Sequence, residues 1–568
     1  MRKSHQVTNA PVISRWDYQV RLLAWMATCV SVFSFLFYFR QGDISLYGDA
    51  VAHINIARRI FDSQTPGLLQ LGTVWLPLTH LLMAPFLISD KMWRNGAGGS
   101  IPTMLAYVFG VVGIFRLTRE GLGTNADRDV QGRDVKAAPE RQAGLVAIAP
   151  WIAAGIYAAN PNLIYMQTTA MGEALYLALF VWSVVYFAEF VGGDSRALTK
   201  CGLCVGAACL TRYDAWFLAG VIVFCAAAVF FLRGGDMYRT KPSKVKRVST
   251  NGFSLGLLVR FVLICSIAPV LWLAYNAAVY RNPLEFANGP YSARAIERNS
   301  RTVNPAKDNL YVAEAYFLKA AELNVAEPAW LGRVWLVLPF AGIVAIIKAR
   351  KLWPLLMLWI PLVFYALSIA YGSIPIFVPP WWPFSQYNVR YGLELLPAFA
   401  VSIGVLVPAA FNRLHIFKYA RLAVVLVLLA IVVASYSSVW AAGPICFREA
   451  QINSRGRVEL ESGLAEWLAV LPPNSTLLMY LGAHPGAVER ASFALRRVIN
   501  EGNHRVWIQP SDPEGLWERA LANPGALADY AIAFEGDAVW QALRGRGLKE
   551  LVEIKVTGQP RAVLYQLR

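Results

Sequence analysis

Charge is scarce in this chain of 568 residues: Asp, Glu, Lys and Arg together make up 16% of it, against about 25% in an ordinary soluble domain. With 56% hydrophobic residues beside that scarcity, a single water-soluble globule is excluded. So is a disordered chain, which needs low hydrophobicity and high charge. Cysteine is sparse as well. Cys29, Cys201, Cys204, Cys209, Cys225 and Cys265 fall inside apolar runs and only Cys446 lies elsewhere, so no disulfide framework is implied. Cys201-Gly-Leu-Cys204 has C-x-x-C spacing but no second ligand pair, and reads as packing thiols. The chain has no internal repeats and no low-complexity tracts. Acidic pairs of the Asp-x-Asp kind that hold divalent ions in many nucleotide-sugar enzymes occur once, at Asp127-Arg128-Asp129, among alternating charges that read as a solvated loop.

What is present is apolar length. Segments of roughly 17 to 25 mostly apolar residues can cross a bilayer as helices. Such runs lie near 21–39, 73–90, 101–117, 143–160, 169–191, 200–213, 215–232, 256–279, 330–348, 352–372, 391–410 and 421–442. Several are short or hold Pro, so about 11 to 13 crossings are expected. The net charge of +17, from 53 Lys and Arg against 36 Asp and Glu, gathers in short loops between these runs. It therefore orients helices and does not mark a nucleic-acid surface. The first run follows Arg2, Lys3, Arg15 and Arg21, lacks a small-residue cleavage site and reads as a retained helix with its N-terminus in the cytoplasm.

Arg116 to Arg141, Arg196 with Lys200, Arg233 to Arg247, Lys348 to Lys351 and Arg413 to Arg421 mark the cytoplasmic loops. Residues 40–72, 160–168, 280–329, 373–390 and everything after 443 then lie outside. The run 73–90 holds Pro77 and Pro85 and conflicts with a simple crossing, so it is expected to be broken or re-entrant. After 443 the composition turns soluble, with strand-like runs at 476–481, 530–534 and 551–556 between helical stretches. The expected architecture is thus a mainly α, polytopic bundle over 1–443 and a small extramembrane α/β domain over 444–568. The outer stretch 280–329 shows little regular pattern, and loops of that length are commonly lids. It is expected to close over the acceptor side.

The first outer loop carries chemistry. From Asp49 to Asp62, Val51, Ile54, Ala57, Ile60 and Phe61 recur at helical spacing while Asn55, Arg58, Arg59 and Asp62 share the other face. This predicts an amphipathic helix along the membrane surface, ended by Thr65-Pro66-Gly67. Asp49 stands at its first turn and His53 one turn later, so both point at one spot. Asp49 after Gly48 also suits a helix N-cap, His53 suits an interfacial hydrogen bond, and Arg58 suits a pair with Asp62 one turn on. Glu173, at the outer end of an apolar helix, needs a partner such as Arg212 or a functional role. Arg212 with Asp214 suits either an outer turn between helices or a binding role.

The run Gly48-Asp49-Ala-Val-Ala-His53, Ala57-Arg58-Arg59, Thr65-Pro66-Gly67 and Leu71-Gly-Thr-Val-Trp75-Leu-Pro77-Leu-Thr-His80 resembles the first outer loop of bacterial GT-C glycosyltransferases. These polyprenyl-phosphate-sugar-dependent membrane enzymes include protein O-mannosyltransferases and the aminoarabinose transferase of lipid A. Met171-Gly-Glu173-Ala-Leu, Leu210-Thr-Arg212-Tyr-Asp214-Ala-Trp216 and Val389-Arg390-Tyr-Gly-Leu-Glu-Leu-Leu-Pro397 are similar to the same group, and the likeness runs over nearly the whole chain.

The resemblance implies transfer of a sugar, hexosyl or pentosyl, from a polyprenyl-phosphate donor to a protein, lipid or glycan acceptor outside the cytoplasmic membrane. It implies inversion at the anomeric carbon, with Asp49 as general base. Arg58, Arg59, Arg212 and Arg390 would then hold the lipid phosphate, and His53, His80, Glu173 and Asp214 would support the site. A lipid monophosphate can leave on guanidinium alone, so no metal is expected, with Asp49 and Glu173 as reserve ligands for a divalent ion. Two rivals remain open: a metal-dependent oligosaccharyltransferase with a diphosphate-linked donor, and a transporter or flippase for lipid-linked sugars.

Overall fold

In the absence of water, a chain crossing a bilayer satisfies its backbone only by bonding internally, and the computed structural model is correspondingly helical. It describes residues 14–123, 147–239, 254–299, 302–413, 418–503 and 513–568. Among them nine helical stretches are long and apolar enough to cross a membrane: Tyr18–Gln41, Ala97–Gly123, Glu173–Gly192, Asp214–Leu232, Leu255–Tyr280, Ala329–Lys348, Arg350–Tyr371, Val389–Ala409 and Leu422–Ala469. The difference from the expected 11 to 13 has local causes. The run 143–160 yields only Ala149–Ala158, because the Asn160 side chain accepts from the Leu163 amide and caps a new short helix, Pro161–Met166. The run 200–213 yields Ser195–Cys209, 15 residues. As its prolines predict, 73–90 is broken, into Leu78–Met83 and a 3-10 turn Phe86–Ile88. Asp127-Arg128-Asp129 and all the basic residues between 124 and 146 and between 240 and 253 lie outside the described residues.

Lipid tails give helices no hydrophobic reason to associate, so close backbone approach does that work. At Gly342 a Cβ would stand 2.4 Å from the Ser402 carbonyl oxygen, and at Gly392 it would stand 2.5 Å from the Ala320 carbonyl carbon. The second contact presses the 3-10 helix Val389–Leu395 onto helix Leu310–Val325 and fixes Arg390 in place. Helix Leu310–Val325 corrects the expectation of an irregular 280–329 loop. Ala313, Phe317, Ala320, Ala321 and Val325 repeat at helical spacing and are buried, while short helices at Glu285–Asn288 and Ala293–Asn299 order the first half.

Gly443, with φ 80°, ends the apolar helix Lys418–Ala442, and the polar helix Ile445–Ala469 leads to a five-stranded sheet. Its strands are β1 Leu477–Met479, β2 Val498–Ile499, β3 Tyr530–Phe534, β4 Lys549–Ile554 and β5 Ala562–Gln566. They lie in the order β2-β1-β3-β5-β4. β1 runs parallel to β2 and β3, while β5 is antiparallel to β3 and β4.

The helix of the first outer loop, Gly48–Arg59, forms where its periodicity placed it but is not a surface helix. Both faces are covered: Ile54 and Ala57 by the bundle, and the polar face by protein rather than headgroups. Asn55 donates to Glu489 at 2.7 Å, Arg59 approaches Glu501 at 3.8 Å, and the Arg496 guanidinium meets Asp62 at 3.2 Å. Periodicity alone cannot distinguish a polar face turned to water from one satisfied by another part of the chain.

This docking is expected to depend on pH. Burial pushes the Glu489 carboxyl from 4.5 up to about 8. A carboxyl raised on folding stabilises the fold fully below about 4.5 and loses that contribution as pH rises to about 8. Thermal stability of the purified protein is therefore expected to fall between pH 6 and pH 8, and Glu489→Gln should flatten that slope. An unchanged slope in the variant would remove Glu489 as its cause.

Candidate functional site

Four helix starts converge at one end of the bundle, and each brings a carboxylate. Asp49 is in the first turn of Gly48–Arg59, Glu173 opens Glu173–Gly192 and Asp214 opens Asp214–Arg239. Glu449, from helix Ile445–Ala469, accepts the Asn388 and Val389 amides at 3.0 and 2.8 Å and so caps Val389–Leu395. A helix N-terminus carries about half a positive charge, so the local sequence rule that favours Asp and Glu in first turns also gathers acidic groups here.

Two arginines hold them together. Arg390, 7% exposed, meets Asp49 through Nη2 at 2.9 Å, Glu173 through Nε at 3.0 Å and Glu449 through Nη1 at 3.0 Å. Arg212 meets the same Glu173 oxygen at 3.2 Å, Asp214 at 3.0 Å and Glu394 at 3.6 Å. It also donates to the Tyr365 hydroxyl at 2.7 Å, which in turn donates to Asp214 at 3.1 Å. The Tyr391 ring lies between the two guanidiniums, 4.9 Å from that of Arg212 and 5.1 Å from that of Arg390. Five carboxylates face two guanidiniums, and the helix N-termini offset part of the difference. Glu173 Oε2 and both oxygens of Glu394 are buried without a hydrogen-bond partner.

The accessible member is Asp49, whose side chain is 42% exposed while those of Glu173, Asp214, Glu394 and Glu449 are each 5% or less. Beside it opens a cavity of ≈190 Å³ bordered by Gly48, Trp75, Arg457 and Glu461. His53 is buried one turn beyond Asp49. Its Nδ1 lies 2.8 Å from His80 Nε2, and its ring packs edge-on against Trp75 at 5.0 Å. Burial pushes both imidazoles below their usual value, and the Asp49 carboxylate partly opposes this for His53. His80 Nδ1 is buried without a partner.

Of the residues singled out in the sequence, Asp49, Glu173, Arg212, Asp214 and Arg390 meet in this network, and His53 and His80 pair beside it. Arg58 and Arg59 do not join, which corrects their grouping with the other two arginines. The reason is helical geometry. Arg58 lies nine residues after Asp49, about 13 Å along the axis and on the opposite face, and Arg59 is one residue further. Arg58 is held by Asp62 at 2.8 Å and by the Leu87 and Ile88 carbonyls at 2.7 and 3.0 Å, under the Trp93 ring. Its role is to fasten the loop. Arg58→Ala should lower unfolding stability by roughly 1.5–3 kcal/mol, the worth of hydrogen bonds to a charged group, measured by denaturation, with turnover per folded molecule unchanged.

Glu394, Glu449, Tyr365 and Tyr391 went unassigned. Glu394 stands in the quoted Val389–Pro397 motif, and an ionisable residue inside an apolar run is a signal in itself. Glu449 gives none, being one acidic residue in a polar helix. Among the described residues no three His, Cys, Asp or Glu side chains converge as a metal site. Asp49 and Glu173, the reserve ligands, are each bound to Arg390.

No protein-family model and no curated protein matches the chain. Its fold does match solved structures. ArnT from Cupriavidus metallidurans bound to undecaprenyl phosphate aligns over 98% of this chain and 98% of its own, at 14% identity and TM-score 0.54. The same protein in the apo state aligns over 98% and 99%, at 13% identity and TM-score 0.55. An oligosaccharyltransferase from Archaeoglobus fulgidus aligns over 91% of this chain and 69% of its own, at 12% identity and a TM-score of only 0.39. The chain therefore has the fold of ArnT over 98% of its length.

Proposed function

We propose that this protein is an inverting membrane glycosyltransferase that moves a sugar from a polyprenyl-phosphate donor to an acceptor on the outer face of a bacterial cytoplasmic membrane. The observation that carries this reading is the meeting of a half-exposed carboxylate, Asp49, with a buried guanidinium, Arg390, at 2.9 Å in a chain with the fold of ArnT. The acceptor hydroxyl oxygen forms a bond to the anomeric carbon as the bond from that carbon to the phosphate oxygen breaks. Asp49 takes the hydroxyl proton, and the polyprenyl phosphate leaves with the bonding electrons. Attack from the side opposite the phosphate inverts the anomeric centre. Arg390, with Arg212 behind it, meets charge that grows on the phosphate in the transition state, so its attraction counts towards rate and not merely binding.

Undecaprenyl phosphate in the ArnT crystal supports a lipid phosphate of the same chemistry here. Glu173 and Asp214 stand at helix starts rather than at mid-helix, which supports surface chemistry over a translocation path. The space between the carboxylates is taken by guanidinium groups, which supports a reaction without a divalent ion. Native mass spectrometry of the purified protein with undecaprenyl phosphate in excess EDTA tests the reading. Wild type should retain the lipid and Arg212→Gln should lose it. A wild type that never binds the lipid, or binds it only with added Mg²⁺, would overturn it.

A further inference from the structure

The ≈190 Å³ cavity beside Asp49 is walled on one side by the start of helix Gly48–Arg59 and Trp75, and on the other by Arg457, Glu461, Gly482 and Ala483. The far wall comes from the C-terminal quarter of the chain, which none of the quoted motifs reaches. Its polar floor is unusual. Glu461 is 0% exposed and its Oε2 accepts from Arg457 Nη1 at 2.7 Å, yet its Oε1 is buried without a partner. A buried acceptor left open is costly, and such groups as a rule have a partner. Arg457 is fixed from behind, donating to the Leu46 carbonyl at 2.8 Å, so it cannot swing to cover both oxygens. Trp75, half-buried and braced edge-on by His53, offers an aromatic wall opposite.

We infer that this cavity is the subsite for the acceptor's reacting sugar ring, with Trp75 and Glu461 as the side chains that receive it. The inference rests on the glycosyltransferase reading and deepens it. A sugar ring packs its C–H face on Trp75, donates a hydroxyl or amine hydrogen to Glu461 Oε1, and brings a second hydroxyl to Asp49. Its place fits the direction of attack: Arg390 holds Asp49 from the buried side, the side the donor reading gives to the phosphate, and the cavity opens on the other. Trp75 and Glu461 then determine which acceptor is used.

Saturation-transfer NMR on the full-length protein in nanodiscs, with methyl glycosides of neutral hexoses and of glucosamine as probes, tests this. Undecaprenyl phosphate binding is measured on the same samples. Wild type should pass saturation to the ring protons, and Trp75→Ala and Glu461→Gln should lose it with lipid binding intact. Ala483→Leu, which fills the cavity while leaving the Arg457–Glu461 pair in place, should lose it too and guards against misfolding of the other variants. Lipid binding without ring saturation, ring saturation that survives Ala483→Leu, or saturation of Ser/Thr peptides in place of sugars would each overturn the subsite and leave the donor reading standing. Ring saturation without lipid binding by wild type would instead overturn the donor reading.

Discussion

Asp49→Asn protein should bind lipid donor as wild type does and transfer sugar about 10²–10⁴-fold more slowly, the range that a positioned proton acceptor contributes. The substitution keeps the shape of the side chain and leaves an oxygen to accept from Arg390 Nη2, now at 2.9 Å from the carboxylate. It removes the one group of the network able to take a proton from outside, since the other four carboxylates are buried behind it. The loss should appear in kcat with little change in the concentration of donor needed, because the interaction removed is made in the transition state. Asp49→Glu keeps the base but lengthens its reach by one methylene from a fixed helix turn, and should recover only part of the rate.

Arg390→Ala should be worse for the protein as a whole. One guanidinium, 8% exposed along its side chain, satisfies Asp49, Glu173 and Glu449. Removing it leaves the Glu173 and Glu449 carboxyls buried with fewer partners, at a cost of about 3–5 kcal/mol. Low yield in the membrane and a lowered melting temperature are the expected readouts, beside loss of transfer. Arg390→Lys should rescue little. A single ammonium on a flexible stem cannot present three donors to three carboxylates in the fixed fork that guanidinium provides. If Arg390→Lys were as stable as wild type, the fork would not be what holds the four helix starts together.

Much of this arrangement was legible because membrane sequences state their exceptions loudly. Charges are rare in apolar surroundings, so Glu173, Arg212, Asp214 and Arg390 stood out, and each sits at a helix start where an N-terminal dipole welcomes an acid or a turn frees a side chain. The broken run at 73–90 was equally legible from Pro77 and Pro85. What was not legible depends on what covers a face. The polar side of Gly48–Arg59 has the pattern of a surface helix whether headgroups or Glu489, Glu501 and Arg496 cover it. Arg58 was grouped with Arg212 and Arg390 through the resemblance, whereas its place half a turn round the helix from Asp49 turns it to Asp62, the partner its own spacing had suggested. Glu449 and Tyr365 enter the site from segments whose local sequence is that of any polar or any apolar helix, and only tertiary packing brings them to Arg390 and Arg212.

Whether Asp49 passes sugar from a lipid phosphate is read most directly in the lipids of the cell. Mass spectrometry of membrane extracts should compare a deletion strain complemented with wild type and with Asp49→Asn, at matched protein levels. The account predicts that one polyprenyl-phosphate-linked sugar accumulates with Asp49→Asn, as in the deletion, while one glycoconjugate lacks that sugar and regains it with wild type. Full restoration of the glycoconjugate by Asp49→Asn, or a lipid-linked sugar pool identical in all three strains, would contradict it.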